Sequence, residues 1–274
     1  MSTPSRWKVP RPLLLVVIVS CKHLIGLRVA PADRRGRLAS ATLEHDSPHG
    51  PEEHKVKIGI LGAGNIGGNL VRRLRALGHH VSVANSRGPE TLSDLSAETG
   101  AKAVPASEVA RGADVVVVTI PQNRIPDFPA GILDGAADGT VVIDTGNYYP
   151  QQRDGRIDGI ESGLTESRWV ERQLGHPVVK AFNNIYASHL LEGGRPPGTP
   201  GRIALPVAGD DEAAKATVMR LVDELGFDPV DAGGLDDSWR QQPGTPVYGT
   251  DFDVDGVRRG LGEASPERTA EWRA

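Results

Sequence analysis

Val56-Lys57-Ile58-Gly59-Ile60-Leu61-Gly62-Ala63-Gly64-Asn65-Ile66-Gly67-Gly68 is the stretch whose reading decides the fold of this chain. A short apolar run reads as a buried parallel strand, and it empties into Gly62-x-Gly64-x-x-Gly67. A helical pattern follows at once through Ile66, Leu70, Val71, Leu74 and Leu77, closed by Gly78. In that context a glycine fingerprint means dinucleotide binding. Gly62 permits the tight turn, Gly64 lets backbone approach a pyrophosphate, and Gly67 lets the helix pack close on the strand. The free N–H groups of Asn65, Ile66 and the rest of the first helical turn, with the positive end of the helix dipole, then face the phosphates.

The next strand, His80-Val81-Ser82-Val83-Ala84, ends where a dinucleotide fold presents the residue that reads the adenine ribose. Selectivity for the unphosphorylated cofactor calls for Asp or Glu there, accepting from the 2′-hydroxyl. This chain has Asn85-Ser86-Arg87-Gly88 instead. No carboxylate stands there to repel a 2′-phosphate, Arg87 offers a planar fork for it, and Asn85, Ser86 and local N–H groups complete a cradle. The expected cofactor is therefore NADP(H); the alternative is an arginine merely solvated in a turn.

Composition bounds the rest. The 274 residues, 38% hydrophobic with a formal charge of −4, suffice for one large or two small globular domains, and give no sign of steering towards nucleic acid. Cys21 is the single cysteine, so downstream of it there is no disulfide, thiolate metal site or cysteine nucleophile. His79, His80, His176 and His189 stand in no HxxxH spacing with a nearby glutamate, and no metal is expected.

Residues 1–55 read differently. Arg6, Lys8 and Arg11 precede the apolar run Leu13 to Val19, then Ser20-Cys21, then a polar, charged tract through Lys55. The run is far below the roughly 20 residues of a spanning helix. It resembles a signal h-region, and Ile18-Val19-Ser20-Cys21 resembles a lipoprotein box, which would make residues 1–30 an export or anchoring segment. Against export, reduced NADP is a cytoplasmic currency. The remaining readings are a disordered or mis-assigned extension, with the domain starting at Val56, or a packed element. The expected location is cytoplasmic, with membrane contact only if the segment is a genuine signal or anchor.

Downstream, the βα pattern continues. Leu92 to Ala97 reads as a short helix, Lys102 to Pro105 as a short strand, and Ser107 to Arg111 as a helical turn. Asp114 to Pro121 and Thr140 to Thr145 read as central strands covered on both faces. Ligands in such sheets bind beyond the carboxyl ends of the strands. Thr119, Ile120, Pro121, Thr145 and Asn147 are thereby placed beside the nicotinamide half, with plain turn chemistry as the alternative. Residues 177–184 make a further strand running into a polar edge. Glu192 to Gly201, rich in glycine and proline, reads as an exposed loop or flap. Arg202 to Ala208 is a strand, Gly209-Asp210-Asp211 caps a helix from Glu212 to Leu225, and Phe227 to Val230 is a last strand. The tail, including Ser238 to Thr250, reads as too irregular for core and as a cover over a ligand or a second subunit. The expected fold is α/β, a Rossmann-type doubly wound parallel sheet over residues 56–184, with a flap, a small αβ unit and a tail over residues 185–274. A homodimer is the expected assembly.

Gly62 to Gly67, Asn85 to Gly88, Thr119-Ile120-Pro121 and Lys180-Ala181-Phe182-Asn183 together resemble the NADP-dependent oxidoreductases that exchange hydride with the 8-hydroxy-5-deazaflavin coenzyme F420. The cytoplasmic domain of the six-transmembrane ferric and cupric reductases and the amino-terminal domain of pyrroline-5-carboxylate reductase are similar. The resemblance covers residues 56–230. It implies that Ser86 and Arg87 hold the 2′-phosphate, that Thr119 to Pro121 and Lys180 to Asn183 border the nicotinamide, and that a deazaflavin or flavin ring stacks against it.

A ketone or imine reductase needs a positioned acid. Hydride transfer to a flavin-like ring needs only the two rings stacked at reacting distance. The sequence offers no Ser-Tyr-Lys or His-Asp arrangement; Tyr148, Tyr149, Tyr186, His189 and Lys180 are candidate donors that read equally as packing or surface residues. Two functions stay open: an NADPH-dependent oxidoreductase with a deazaflavin or flavin acceptor, or less readily a metal chelate, imine or carbonyl acceptor; and a domain that senses NADPH without turnover.

Overall fold

The computed structural model describes residues 55–274, so the expectations for Leu13 to Val19 and the Ile18 to Cys21 box lie outside the described residues. The chain enters through strand β1 (Lys57–Leu61) and helix α1 (Asn65–Ala76), then β2 (His80–Ala84), α2 (Ser93–Thr99), β3 (Lys102–Ala103), β4 (Val115–Val118) and β5 (Val141–Asp144). Helices α3 (Asp158–Glu161) and α4 (Glu166–Leu174) lead to β6 (Val178–Lys180). These six strands form one parallel sheet in the order β3-β2-β1-β4-β5-β6. That order, with its reversal between β1 and β4, is the doubly wound dinucleotide topology expected from the sequence.

Why the sheet is covered on both faces can be read off β4. Successive strand residues point to opposite sides. Val115 and Val117 join the core cluster built with Leu70, Val71 and Leu74 of α1, whereas Val116 and Val118 join the opposite cluster with Trp169 and Val170 of α4. A strand with two apolar faces has no solvent side, hence the unbroken valine run.

After β6 come α5 (Ala187–Glu192), β7 (Ala204–Val207), α6 (Glu212–Glu224), β8 (Asp228–Asp231) and α7 (Val254–Glu263). Strands β7 and β8 pair in parallel as a separate small sheet, joined to β6 by the Lys180–Ala208 bridge. Asp211 caps α6 as expected, its carboxylate accepting from the amides of Ala213 at 2.8 Å and Ala214 at 3.0 Å. Leu205, Val207, Val218 and Phe227 pack in the same cluster as β1 and β2.

Two expectations are corrected. The tail is core: Leu235, Ser238, Gln241 and Val247 have no solvent exposure. Its polar residues are buried because they are paired; Gln241 Nε2 donates to Asn183 Oδ1 at 2.9 Å and to the Pro206 carbonyl at 3.3 Å. The Glu192 to Gly201 loop is no flap over the sheet's ligand end. Its Arg195 amide donates to the Gly226 carbonyl, and Arg73 near the end of α1 ties the Leu191 and Leu225 carbonyls beside it. Since α1 starts at the glycine loop and runs away from it, this loop sits at the far end.

Candidate functional site

The glycine loop is built as its residue types require. Gly62 has φ of +110°, a conformation open to glycine at no steric cost, and its amide donates to the Ala84 carbonyl at 2.8 Å. At Gly67 a Cβ would collide with the Gly62 carbonyl oxygen and stand 2.7 Å from Thr119 Cγ2. Helix and strand therefore meet there without room for a methyl group. At Gly64 a Cβ would meet nothing within 4 Å. That side faces the open ligand end of the sheet, where a side chain would take the space a phosphate needs. Gly64 also caps α1 with no side-chain partner, and no acidic residue stands in the first turn. The orphan amides and the helix dipole are left for an anion.

Two cavities meet at this loop. The first, about 420 Å³, is lined by Gly62, Gly64, Asn85, Ser86, Arg87, Thr119, Ile120 and Pro121, together with Ala106, Arg124, Asp127, Phe128 and Pro129. The β2 exit is a fixed turn: Asn85 Oδ1 accepts the Arg87 amide at 2.9 Å, and Asn85 Nδ2 donates to Thr91 Oγ1 at 2.9 Å. Arg87 and Ser86 are exposed, and among the described residues the Arg87 guanidinium has no ion pair. Arg124, in contrast, is paired with Asp127 at 3.1 Å. Arg87 is thus a cation held by its backbone and unspent at its head group.

The second cavity, also about 420 Å³, shares Gly64, Thr119, Ile120 and Pro121 with the first and adds Asn65, Ile66, Thr145, Asn147, Asn183 and the three tyrosines Tyr149, Tyr186 and Tyr248. Of the residues expected at the site from sequence, Gly67 lines neither cavity, and its role in packing explains that; buried Lys180 and Ala181, expected beside the nicotinamide, line neither as well. Phe182, at the turn out of β6, is the one non-glycine residue among those described with positive φ, at 61°. Such strain persists only where surrounding structure enforces it. It aims Asn183 at the cavity, where Asn183 Nδ2 donates to Asn147 Oδ1 at 3.0 Å and to the Gln241 carbonyl at 2.7 Å.

Lys180, expected to border the nicotinamide, is instead fully buried and lines neither cavity. Its ammonium donates to the Gly146 carbonyl at 2.5 Å and pairs with Asp144 at 3.3 Å. Glu166, also buried, approaches it at 3.9 Å and binds Arg268 at 2.9 Å. Burial pushes the Glu166 carboxyl above the usual range, with Lys180 and Arg268 opposing. His189 pairs with Asp251 at 2.7 Å, an arrangement the sequence did not disclose, but neither residue lines a cavity. The sequence reading also missed Arg124, Phe128 and Arg153. The only signal for the first two was their place just after the β4 exit. Among the described residues, no group of three or more His, Cys, Asp or Glu could hold a metal ion.

Six parallel strands in this order, a glycine loop opening a helix and two cavities at the strand ends define a Rossmann-type dinucleotide-binding protein. Residues 57–148 match the family described as NADP oxidoreductase coenzyme F420-dependent. A solved structure of a hypothetical protein, SMa0349, from Sinorhizobium meliloti is similar at 32% identity, over 72% of this chain and 95% of that one, with a TM-score of 0.61. A second, from Arthrobacter sp. FB24 and provisionally described as an F420-dependent NADP reductase, is similar at 26% identity over 66% of this chain and 86% of that one, with a TM-score of 0.54. The metalloreductase STEAP3 of Rattus norvegicus is 28% identical over 215 residues, 78% of this chain. The chain spans 43% and 39% of the length of the first two curated relatives it matches. The nucleotide-binding part of the chain, residues 57–148, thus carries the pattern of the NADP-dependent oxidoreductases named for coenzyme F420. No helix among the described residues is long and apolar enough to cross a membrane.

Proposed function

We propose that this chain transfers hydride between NADP(H) and a deazaflavin of the F420 type, or a flavin, seated in the second cavity. The observation that carries this reading is the junction of the two cavities at Gly64 and Thr119 to Pro121, so that one dinucleotide spans both. The adenosine half lies in the first cavity with its 2′-phosphate on Ser86 and Arg87. The pyrophosphate meets Gly62, Gly64 and the amides of Asn65 and Ile66 at the start of α1. The nicotinamide end enters the second cavity beside Thr119, Ile120, Pro121 and Asn183. The bound dinucleotide supplies the reducing equivalent; the chain supplies orientation and a shielded wall.

A ring acceptor fits a cavity whose walls offer amides and tyrosines and no carboxylate. Hydride arrives on an acceptor that delocalises its charge, so no strong acid is required of the protein. The reading includes a cytoplasmic setting, where reduced NADP is supplied, and a homodimeric assembly. Purified protein and NADPH are mixed with a deazaflavin, FMN, FAD and ferric chelates while the nicotinamide absorbance is followed. Faster NADPH loss with deazaflavin or flavin supports the proposal. Tight NADPH binding with no turnover on any acceptor would instead make the chain a nucleotide sensor, and selective use of ferric chelates would align it with the metalloreductase.

A further inference from the structure

The second cavity holds a proton source that a ring acceptor does not need. Tyr149, beyond the end of β5, and Tyr248, in the buried tail, meet hydroxyl to hydroxyl on its wall. Neither hydroxyl has another partner among the described residues. Two hydroxyls in contact spend one hydrogen on each other, which leaves the second hydrogen available to a ligand atom. The pair is held from behind: Trp272 packs on both rings, with centroids 5.9 Å from Tyr149 and 6.4 Å from Tyr248, and Arg153 stands 4.9 Å over the Tyr149 ring.

The cavity contains little else that can give up a proton. Its other ionisable residues are Arg153, locked on Asp154 at 2.9 Å and permanently charged, and the exposed Tyr186. Burial, and then the bond from Tyr149, hold the Tyr248 hydroxyl above the ordinary tyrosine range, so it stays protonated at neutral pH.

We propose that Tyr149 and Tyr248 act as a proton-donating pair, and that the second cavity thereby also reduces small aldehydes or ketones. This rests on the dinucleotide occupying the two cavities as described above. Hydride from the reduced nicotinamide forms the new C–H bond at the carbonyl carbon. The C=O π pair moves to oxygen, which takes the proton of the inward hydroxyl. The carbonyl compound is reduced to an alcohol, NADPH is oxidised to NADP⁺, and the donor regains its proton through the partner hydroxyl from solvent.

The test compares the wild-type protein with Tyr149→Phe, Tyr248→Phe and the double variant, each checked for an unchanged thermal melt and NADPH affinity. Single-turnover NADPH oxidation is measured with 4-nitrobenzaldehyde, with cyclohexanone and with FMN. The double variant is expected to lose at least ~100-fold with the carbonyl compounds, in the range of general acid catalysis, and at least tenfold more than it loses with FMN, whose ring shares the same walls. Calorimetric binding of benzamide, an unreactive carbonyl, in the presence of NADP⁺ is expected to weaken about tenfold in the same variant, as for loss of one hydrogen bond. Should the double variant not fold, wild-type single turnover in D₂O replaces it: slowing with the aldehyde alone supports the pair, and equal behaviour with FMN overturns it. Retained aldehyde reduction in a folded double variant overturns the assignment. Wild-type protein that reduces FMN but neither carbonyl compound overturns this inference and leaves the proposed function standing. Failure to bind NADPH at all overturns both.

Discussion

Lys180 Nζ lies 3.3 Å from Asp144 Oδ2, and neither side chain has any solvent exposure. The pair sits beneath the second cavity and props the Gly146 carbonyl that helps to form its floor. Removing Lys180 leaves the Asp144 carboxylate buried without this counter-ion, held only by the Gly146 amide and the Ser167 hydroxyl. Lys180→Met is therefore expected to destabilise the fold by about 3–5 kcal/mol, whereas Lys180→Met with Asp144→Leu should recover much of that loss. Urea unfolding of the three proteins checks it; a single variant as stable as wild type would mean that water reaches the site.

Arg87 bears on cofactor choice. Its unspent guanidinium has a phosphate to bind in NADPH and none in NADH. Arg87→Ala is expected to weaken NADPH binding by about 1.5–3 kcal/mol while leaving NADH nearly unchanged. Titration of both nucleotides decides the matter, and equal losses would remove Arg87 from the phosphate cradle.

Gly64 and Gly67 should fail in opposite ways. A side chain at Gly64 enters open space, so Gly64→Val should fold with a stability within about 0.5 kcal/mol of wild type yet lose NADPH binding. Gly67→Ala forces a methyl into the Gly62 carbonyl and should cost roughly 1–3 kcal/mol through displacement of α1. Thermal melts beside NADPH titration separate the two; normal binding by Gly64→Val would reduce the loop to a packing turn.

Acid sensitivity follows from Asp210. The Leu235 amide, donating at 2.8 Å, holds its carboxyl below the usual range, with Arg168 adding to the effect and burial opposing it. A depressed folded pKa contributes stability above the unfolded value and loses it as pH falls through the folded one. Because the carboxylate is half exposed, the contribution is small. Asp210→Asn should cost about 0.5–1 kcal/mol at neutral pH, with the difference shrinking as the pH falls through and below the ordinary aspartate range. Urea midpoints across that range provide the measurement, and a pH-independent difference would refute the assignment.

The dinucleotide half was legible because its determinants are local. Strand, Gly62 to Gly67 and the apolar stripe of α1 are contiguous, and Asn85 to Arg87 follow the next strand directly. Beyond β5 the signals weaken. Helix α4 was not foreseen, although Thr165 caps it, accepting the Arg168 amide at 3.1 Å, and Gly175 ends it at φ 64°. Tyr149 was visible as a possible donor, but its partner Tyr248 lies 99 residues away, and nothing local marks such a pairing. Gln241 misled for the same reason. A polar residue in an irregular stretch reads as loop until Asn183, 58 residues earlier, is seen to bury it.

The residues lining the first cavity all fall between 61 and 129, whereas the second draws on residues from 64 to 248 and leans on Trp272. Short-range contacts close early on the folding route, because distant ones must first meet the entropy of closing long loops. During vectorial synthesis the residues lining the first cavity all emerge before those that close the second. On the proposed reading, a chain cut short before Tyr248 would keep the residues that hold the dinucleotide and lack those that wall the acceptor.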